Sequence, residues 1–174
     1  MLNTTANKLT IARIILVPVY LLLLYLGLRI PAVAVFIIAS LTDLLDGYIA
    51  RHYNQITNFG KFMDPLADKI LVLAAMCFFA EVGQMPGWAV ALVLLREFGV
   101  SGLRLVAVEQ GRVIAAGKSG KFKTASTMVC LIVMTIWNVS LLNFIGIAVI
   151  VITTAWSGIE YFIKNRDVFT DMRD

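Results

Sequence analysis

The sequence predicts an all-α integral membrane protein: six transmembrane helices preceded by a short amphipathic helix on the cytoplasmic surface. Three observations predict it. The first is composition. Hydrophobic residues make up 60% and charged residues 15% of the chain, against about 45–50% and about 25% in ordinary globular domains, and the mean hydropathy is +0.86. The second is length. A span takes about 20 mostly apolar residues, so six take about 120 of the 174 and leave only short loops and tails. That arithmetic predicts one domain over residues 1–174. The third is the distribution of charge described below. Together these exclude a disordered chain, a disulfide scaffold, a typical water-soluble enzyme and a large soluble domain on an anchor.

The elements follow in order. Residues 3–13 mix Asn7, Lys8, Thr10 and Arg13 with Leu9, Ile11 and Ala12, the pattern of a helix lying in the interface; a frayed tail is the alternative. The first span is Ile11 to Leu28, interrupted by Arg13. The second, Ala32 to Ala50, carries Asp43 and Asp46 near its end. The third runs from about Asp64 to Ala80, and the fourth from Gly87 to about Val108 with Arg96, Glu97 and Arg104 inside it. The fifth is Thr124 to Leu142 and the sixth Phe144 to Phe162. Helices are required because an open sheet cannot satisfy its backbone in lipid. Arg29-Ile30-Pro31 and Gly83 to Gly87 read as turns. Cys77 and Cys130 sit in separate apolar runs and read as unpaired.

Charge then orients the spans. The formal net charge is +4, from 15 Lys and Arg against 11 Asp and Glu. In a soluble protein this would suggest nucleic acid; here the cations mark cytoplasmic loops and anionic headgroups, and no nucleic-acid partner is expected. With the N-terminus inside, the basic residues fall on the cytoplasmic side, except Arg29 outside and Arg96 within a span. Both termini are therefore expected in the cytoplasm, with Trp88 and Trp137 at the outer interface.

The segment Asp43 to Lys69 holds the chemistry. Asp43 and Asp46 are spaced i, i+3, and Asp64 and Asp68 i, i+4, so each pair projects from one helix face. A charged residue at a bilayer centre costs roughly 2.5–3.5 kcal/mol. Four mutually repelling carboxylates therefore point to neutralising cations, and an all-oxygen set suits Mg²⁺ or Mn²⁺. No His or Cys accompanies them, which argues against zinc; His52 reads as a solvated loop residue. Helix capping is the competing account. Asp64 before Pro65 does look like an N-cap, but capping leaves Asp43, Asp46 and Asp68 unexplained. Gly47, Ala50 and Gly60 would let a ligand approach the backbone, or would serve helix packing. Arg51 offers a phosphate-binding fork.

The pattern Asp43-x2-Asp46-Gly47-x2-Ala50-Arg51-x8-Gly60-x3-Asp64-x3-Asp68 resembles the full signature of the CDP-alcohol phosphotransferases, with all eight positions filled. The resemblance implies six transmembrane helices, an N-terminal surface helix, a homodimer and two divalent metals per active site. It assigns Asp43, Asp46 and Asp64 as metal ligands, and Asp68 as the general base that also touches a metal. It gives Gly47, Ala50, Arg51 and Gly60 to the CDP moiety, with Asn7 and Thr10 as nucleotide contacts. Many relatives have proline before that asparagine, where this chain has Ala6.

The acceptor is expected to carry a phosphate. Glu97, Ser101 and Arg104 share a face of the fourth helix, Arg96 adjoins it, and Lys121 starts the fifth; cations directed into a pocket suit an anionic group. Arg112, Lys118 and Lys123 need only obey the positive-inside rule. Arg96 to Arg104, Gly120 to Thr124 and Ser157 to Phe162 resemble the phosphatidylglycerophosphate synthase branch of bacteria. That resemblance implies transfer of the phosphatidyl group from CDP-diacylglycerol to sn-glycerol 3-phosphate, with Arg96, Arg104 and Lys121 on the acceptor's phosphate, in a bacterial cytoplasmic membrane. The alternatives are another member of the family (a phosphatidylinositol phosphate, phosphatidylserine or cardiolipin synthase) or a cation transporter. Transporters place acids near the midplane on broken helices, often in repeated halves; here the acids cluster at one edge and no repeat is visible.

Overall fold

The computed structural model describes residues 5–52, 58–112, 114–115 and 117–170; the side chains of 5–8, 43–52, 58–65, 68 and 169–170 lie outside the described residues. Apart from short connections the described residues are helical: α1 (Thr5–Tyr25), α2 (Arg29–His52), α3 (Asn58–Glu81), α4 (Gly87–Glu109), α5 (Lys118–Trp137), α6 (Ser140–Lys164) and the single turn α7 (Asp167–Thr170). No strand occurs among the described residues. The helices group into two compact units, Met1–Phe79 and Ala80–Asp174.

In the first unit α1 packs along α2. Thr10, Arg13, Val17, Tyr20 and Leu24 form the buried stripe of α1, at the 3–4 residue spacing that keeps one helix face inward. Ala32, Val33, Phe36 and Ala39 answer it from α2. The Tyr20 and Phe36 rings sit 5.4 Å apart, and Tyr25 meets Phe78 of α3 edge-on at 5.1 Å. Just past the end of α1 stands Gly27, whose φ of +72° is the left-handed conformation that closes a helix at little steric cost. There Leu28 N–H donates to Leu23 C=O at 2.9 Å.

In the second unit α6 packs against α5 and α4, and α7 touches α4. Gly146 allows the close approach of α5 and α6, since a Cβ there would lie 3.1 Å from Met134 Sδ. Val100, Leu103, Ala107, Tyr161 and Val168 form one buried cluster at the α4–α6–α7 end. Outward faces are apolar while Ser119, Lys123, Thr127, Thr153, Thr154 and Ser157 are inward, the inverse of a water-soluble bundle. Thr127, Thr135 and Thr153 satisfy their hydroxyls on their own helices, donating to the carbonyls of Lys123, Leu131 and Val149 at 2.7–2.8 Å.

Several expectations change. The stretch read as a separate surface helix over 3–13 is the start of an unbroken α1, because nothing between Thr5 and Val17 breaks a helix, and Pro18 too lies inside it. α3 begins at Asn58, so Asp64 sits within the helix and does not cap it. The fifth helix stops at Trp137, not Leu142. Asn138 takes φ 34°, ψ 47°, a left-handed stop that asparagine adopts more readily than other side chains. Cys77 and Cys130 are both free. Among the described residues only α6 is both long and apolar enough to cross a membrane, while Leu9–Tyr25 and Arg29–Thr42 are shorter apolar stretches.

Candidate active site

The acidic constellation lies where α2 ends and α3 begins. Asp43, Asp46, Gly47, Ala50 and Arg51 fall on α2, and Gly60, Asp64 and Asp68 on α3; their side chains lie outside the described residues. The backbone alone sets a register. Asp46 lies six residues before the end of α2 and Asp64 six after the start of α3, each about 9 Å along its helix from the connection. Asp43 and Asp68 lie one turn deeper. Two aspartate pairs at matching positions along α2 and α3, with no His or Cys in the set, are of a chemistry that suits hard divalent cations.

On α1, Asn7 likewise has its side chain outside the described residues, whereas Thr10 is fully buried. Arg13, one turn on, is only 1% exposed. Sequence reasoning treated Arg13 as an interruption of an apolar span, yet an arginine taken out of water must be bonded. The signal was available: it is the single charge between Lys8 and Arg29.

The second unit gathers the remaining charged groups. Arg96 Nη1 donates to Glu97 Oε1 at 2.9 Å and Arg96 Nη2 to Ser157 Oγ at 2.6 Å. Lys123 Nζ donates to the same Glu97 oxygen at 2.7 Å. The side chains are 11%, 14% and 4% exposed for Arg96, Glu97 and Lys123, so these are interior ion pairs. Lys123, read from sequence as a loop cation, is thus an inward residue, and Lys121 two positions away is exposed. Two residues along a helix is about 200° of rotation, which separates the two lysines.

About two turns nearer the α4 C-terminus, Arg104 Nε donates to Tyr161 Oη at 3.0 Å, and its guanidinium lies 5.6 Å from the Tyr161 ring centre. Tyr161 lines a cavity of about 360 Å³ together with Arg112, Ser119, Glu160, Lys164 and Asn165. Arg112 pairs with Asp167 and Lys164 with Glu160. The Arg112 guanidinium holds the Asp167 carboxyl below its usual range. The cavity thus sets Arg112 and Lys164, each paired with a carboxylate, beside an arginine-bound tyrosine, so an anion entering it would compete with Asp167 and Glu160 for those cations. Sequence reasoning missed Tyr161, Ser119 and Lys164 as wall residues, since the α5–α6 contact that assembles them joins positions more than forty residues apart.

The family model described as CDP-alcohol phosphatidyltransferase matches residues 3–156. The "CDP-diacylglycerol--glycerol-3-phosphate 3-phosphatidyltransferase" of Bacillus subtilis (strain 168) is 39% identical, over 91% of this chain and 93% of its own. The protein of the same name in Escherichia coli (strain K12) is 37% identical over 91% and 92%. The "Probable phosphatidylglycerophosphate synthase" of Mycobacterium tuberculosis (strain CDC 1551 / Oshkosh) is 44% identical over 68% of this chain and 59% of its own. The aspartate signature at the α2–α3 junction, the match across most of the chain and these relatives agree: the chain belongs to the CDP-alcohol phosphatidyltransferase family.

Proposed function

We propose that the chain transfers the phosphatidyl group of CDP-diacylglycerol to sn-glycerol 3-phosphate, giving phosphatidylglycerol phosphate and CMP. What carries this reading is the 39% identity across 93% of a relative named for that reaction, with all eight signature positions intact. The enzyme is read as one domain of six spans, a homodimer in a bacterial cytoplasmic membrane, with both termini and the active site on the cytoplasmic side.

Asp43, Asp46, Asp64 and Asp68 would hold two divalent ions, Mg²⁺ or Mn²⁺, which supply positive charge to the donor's pyrophosphate. Gly47, Ala50, Arg51 and Gly60, with Asn7 and Thr10, hold the CDP moiety. Arg104 and Lys121 gather positive charge for the acceptor's phosphate, with Arg96 in the interior behind them, and fixing that phosphate orients the hydroxyl that reacts. Asp68 takes the proton from the 1-hydroxyl of glycerol 3-phosphate. The freed oxygen bonds to the phosphorus bearing the diacylglycerol, the bond from that phosphorus to the CMP oxygen breaks, and CMP leaves.

The test is CMP release by purified protein given CDP-diacylglycerol and a panel of acceptors: glycerol 3-phosphate, myo-inositol phosphate, serine and phosphatidylglycerol. Release with glycerol 3-phosphate alone is expected. Release that requires another acceptor would reassign the branch, and no release with any of them would refute the transferase reading.

A further inference from the structure

The two arginines of α4 are held in different ways. Arg104 reaches the cavity wall through Tyr161. Arg96 instead spends both terminal nitrogens inside the bundle, on Glu97 of its own helix and Ser157 of α6. The Glu97 oxygen that accepts from Arg96 also accepts from Lys123 of α5, so α4, α5 and α6 are tied at one point. Two glycines make that point possible. A Cβ on Gly158 would lie 3.2 Å from Arg96 Cγ, and one on Gly120 would lie 3.3 Å from Arg96 Nη2. Neither glycine has a left-handed backbone, so what each supplies is room for the guanidinium and its stem.

The tie lies directly behind the cavity. Ser157 and Tyr161 are i, i+4 on α6 and therefore stack on one face. Gly120 is the neighbour of Ser119, which lines the cavity. Each Arg96 terminal nitrogen keeps a second N–H, and Nε is buried without a partner, but the side chain is only 11% exposed, so a phosphate could reach it only by entering the low-dielectric interior that already holds Glu97 and Ser157.

We propose that Arg96, Glu97, Lys123 and Ser157 form a positioning lock. It sets the rotation of α6 against α4, and so places Tyr161 and Arg104 for the acceptor's phosphate, while Arg96 itself does not bind that phosphate. The proposal rests on reading this cavity as part of the acceptor site.

The test is a kinetic split on the full-length purified protein, measuring kcat and the KM of glycerol 3-phosphate and of CDP-diacylglycerol. Ser157→Ala removes one bond to Arg96, and Gly158→Ala crowds its stem. Each is expected to raise the acceptor KM about tenfold, the scale of one hydrogen bond to a charged group, with the donor KM and kcat within twofold. Arg96→Lys keeps the charge but cannot bridge Glu97 and Ser157 with one nitrogen, so it should show the same rise. Glu97→Gln strands two buried cations and is expected to express poorly; E97Q combined with K123M restores the net charge and should recover expression. If Arg96 bound the phosphate directly, Ser157→Ala would free a nitrogen and leave the acceptor KM unchanged or lower. That result overturns the lock, as does a lowered thermal midpoint with both KM values unmoved. Wild-type protein that releases no CMP with glycerol 3-phosphate would sink both readings; wild-type turnover with unmoved variant KM values would sink the lock alone.

Discussion

At the residue scale, charge inside an apolar chain is the guide, because each such group must be neutralised or used. Asp68 lies ten residues into α3, beyond the reach of any capping role. Asp68→Asn keeps its volume and is expected to leave the fold intact while lowering turnover by at least about 10²-fold, as loss of a general base does. Circular dichroism together with CMP release checks both halves; full activity would exclude the base role. Arg104→Ala should raise the acceptor KM far more than the donor KM. Tyr161→Phe should do the same more weakly, since it removes only the hydroxyl that accepts from Arg104 Nε. Parallel shifts in the two KM values would argue against the anion cavity. The spacing of the four aspartates and the inward arginines of α4 were legible from the sequence. Lys123 was not, because a cation after a loop reads the same whether it faces water or Glu97. Only the packing of α4 and α5 against α6 decides that.

At the scale of elements, all six expected helices are present and the differences lie at their ends. Hydropathy marks where a helix is apolar, not where its hydrogen bonds stop. α3 therefore begins at Asn58, ahead of the expected start near Asp64, and α6 runs on to Lys164. Of the two asparagines between Trp137 and Phe144, Asn138 and Asn143, the structure uses the first as the stop. α7 was illegible, since a single helical turn has no periodicity to detect. Its anchor is tertiary: Val168 is 1% exposed in the cluster with Val100, Leu103, Ala107 and Tyr161, and Gln110 Nε2 donates to its carbonyl at 3.3 Å. Val168→Ala is expected to destabilise by about 1–3 kcal/mol, the range for deleting buried methyl groups, seen as a lower thermal midpoint. The Arg112–Asp167 pair adds a pH dependence. The Asp167 carboxyl is held below its usual value, so its contribution is present above the ordinary aspartate pKa of about 3.9. It is lost as pH falls through the lower folded value. Hydrogen-exchange protection of the α7 amides should fall on acidification across that window, and Asp167→Asn should abolish the change.

At the scale of the whole molecule, charge also determines which helices look like spans. α6 passes a test of length and apolarity, whereas α4, at 23 residues, carries Arg96, Glu97, Arg104 and Glu109. Those first three charges do not make α4 a surface helix. Arg96 and Glu97 are paired inside the unit, Arg104 is bonded to Tyr161, and Leu95, Phe98 and Leu105 point outward at 67–72% exposure. A helix with an apolar exterior and interior ion pairs suits lipid better than water. The six-span reading then makes a direct prediction about sidedness. In a background where Cys77 and Cys130 are replaced by alanine, Val82→Cys and Val139→Cys stand in connections expected outside, and Lys118→Cys and Arg166→Cys in segments expected inside; all four positions are exposed. A membrane-impermeant maleimide added to intact cells or spheroplasts should label the first two alone, and the second two only after the membrane is opened. Labelling of Lys118→Cys from outside would reverse the orientation, and labelling of all four from outside would remove α4 to α6 from the membrane altogether. Either result would also place the cavity beside Tyr161 out of reach of a cytoplasmic acceptor, so sidedness and chemistry stand on the same measurement.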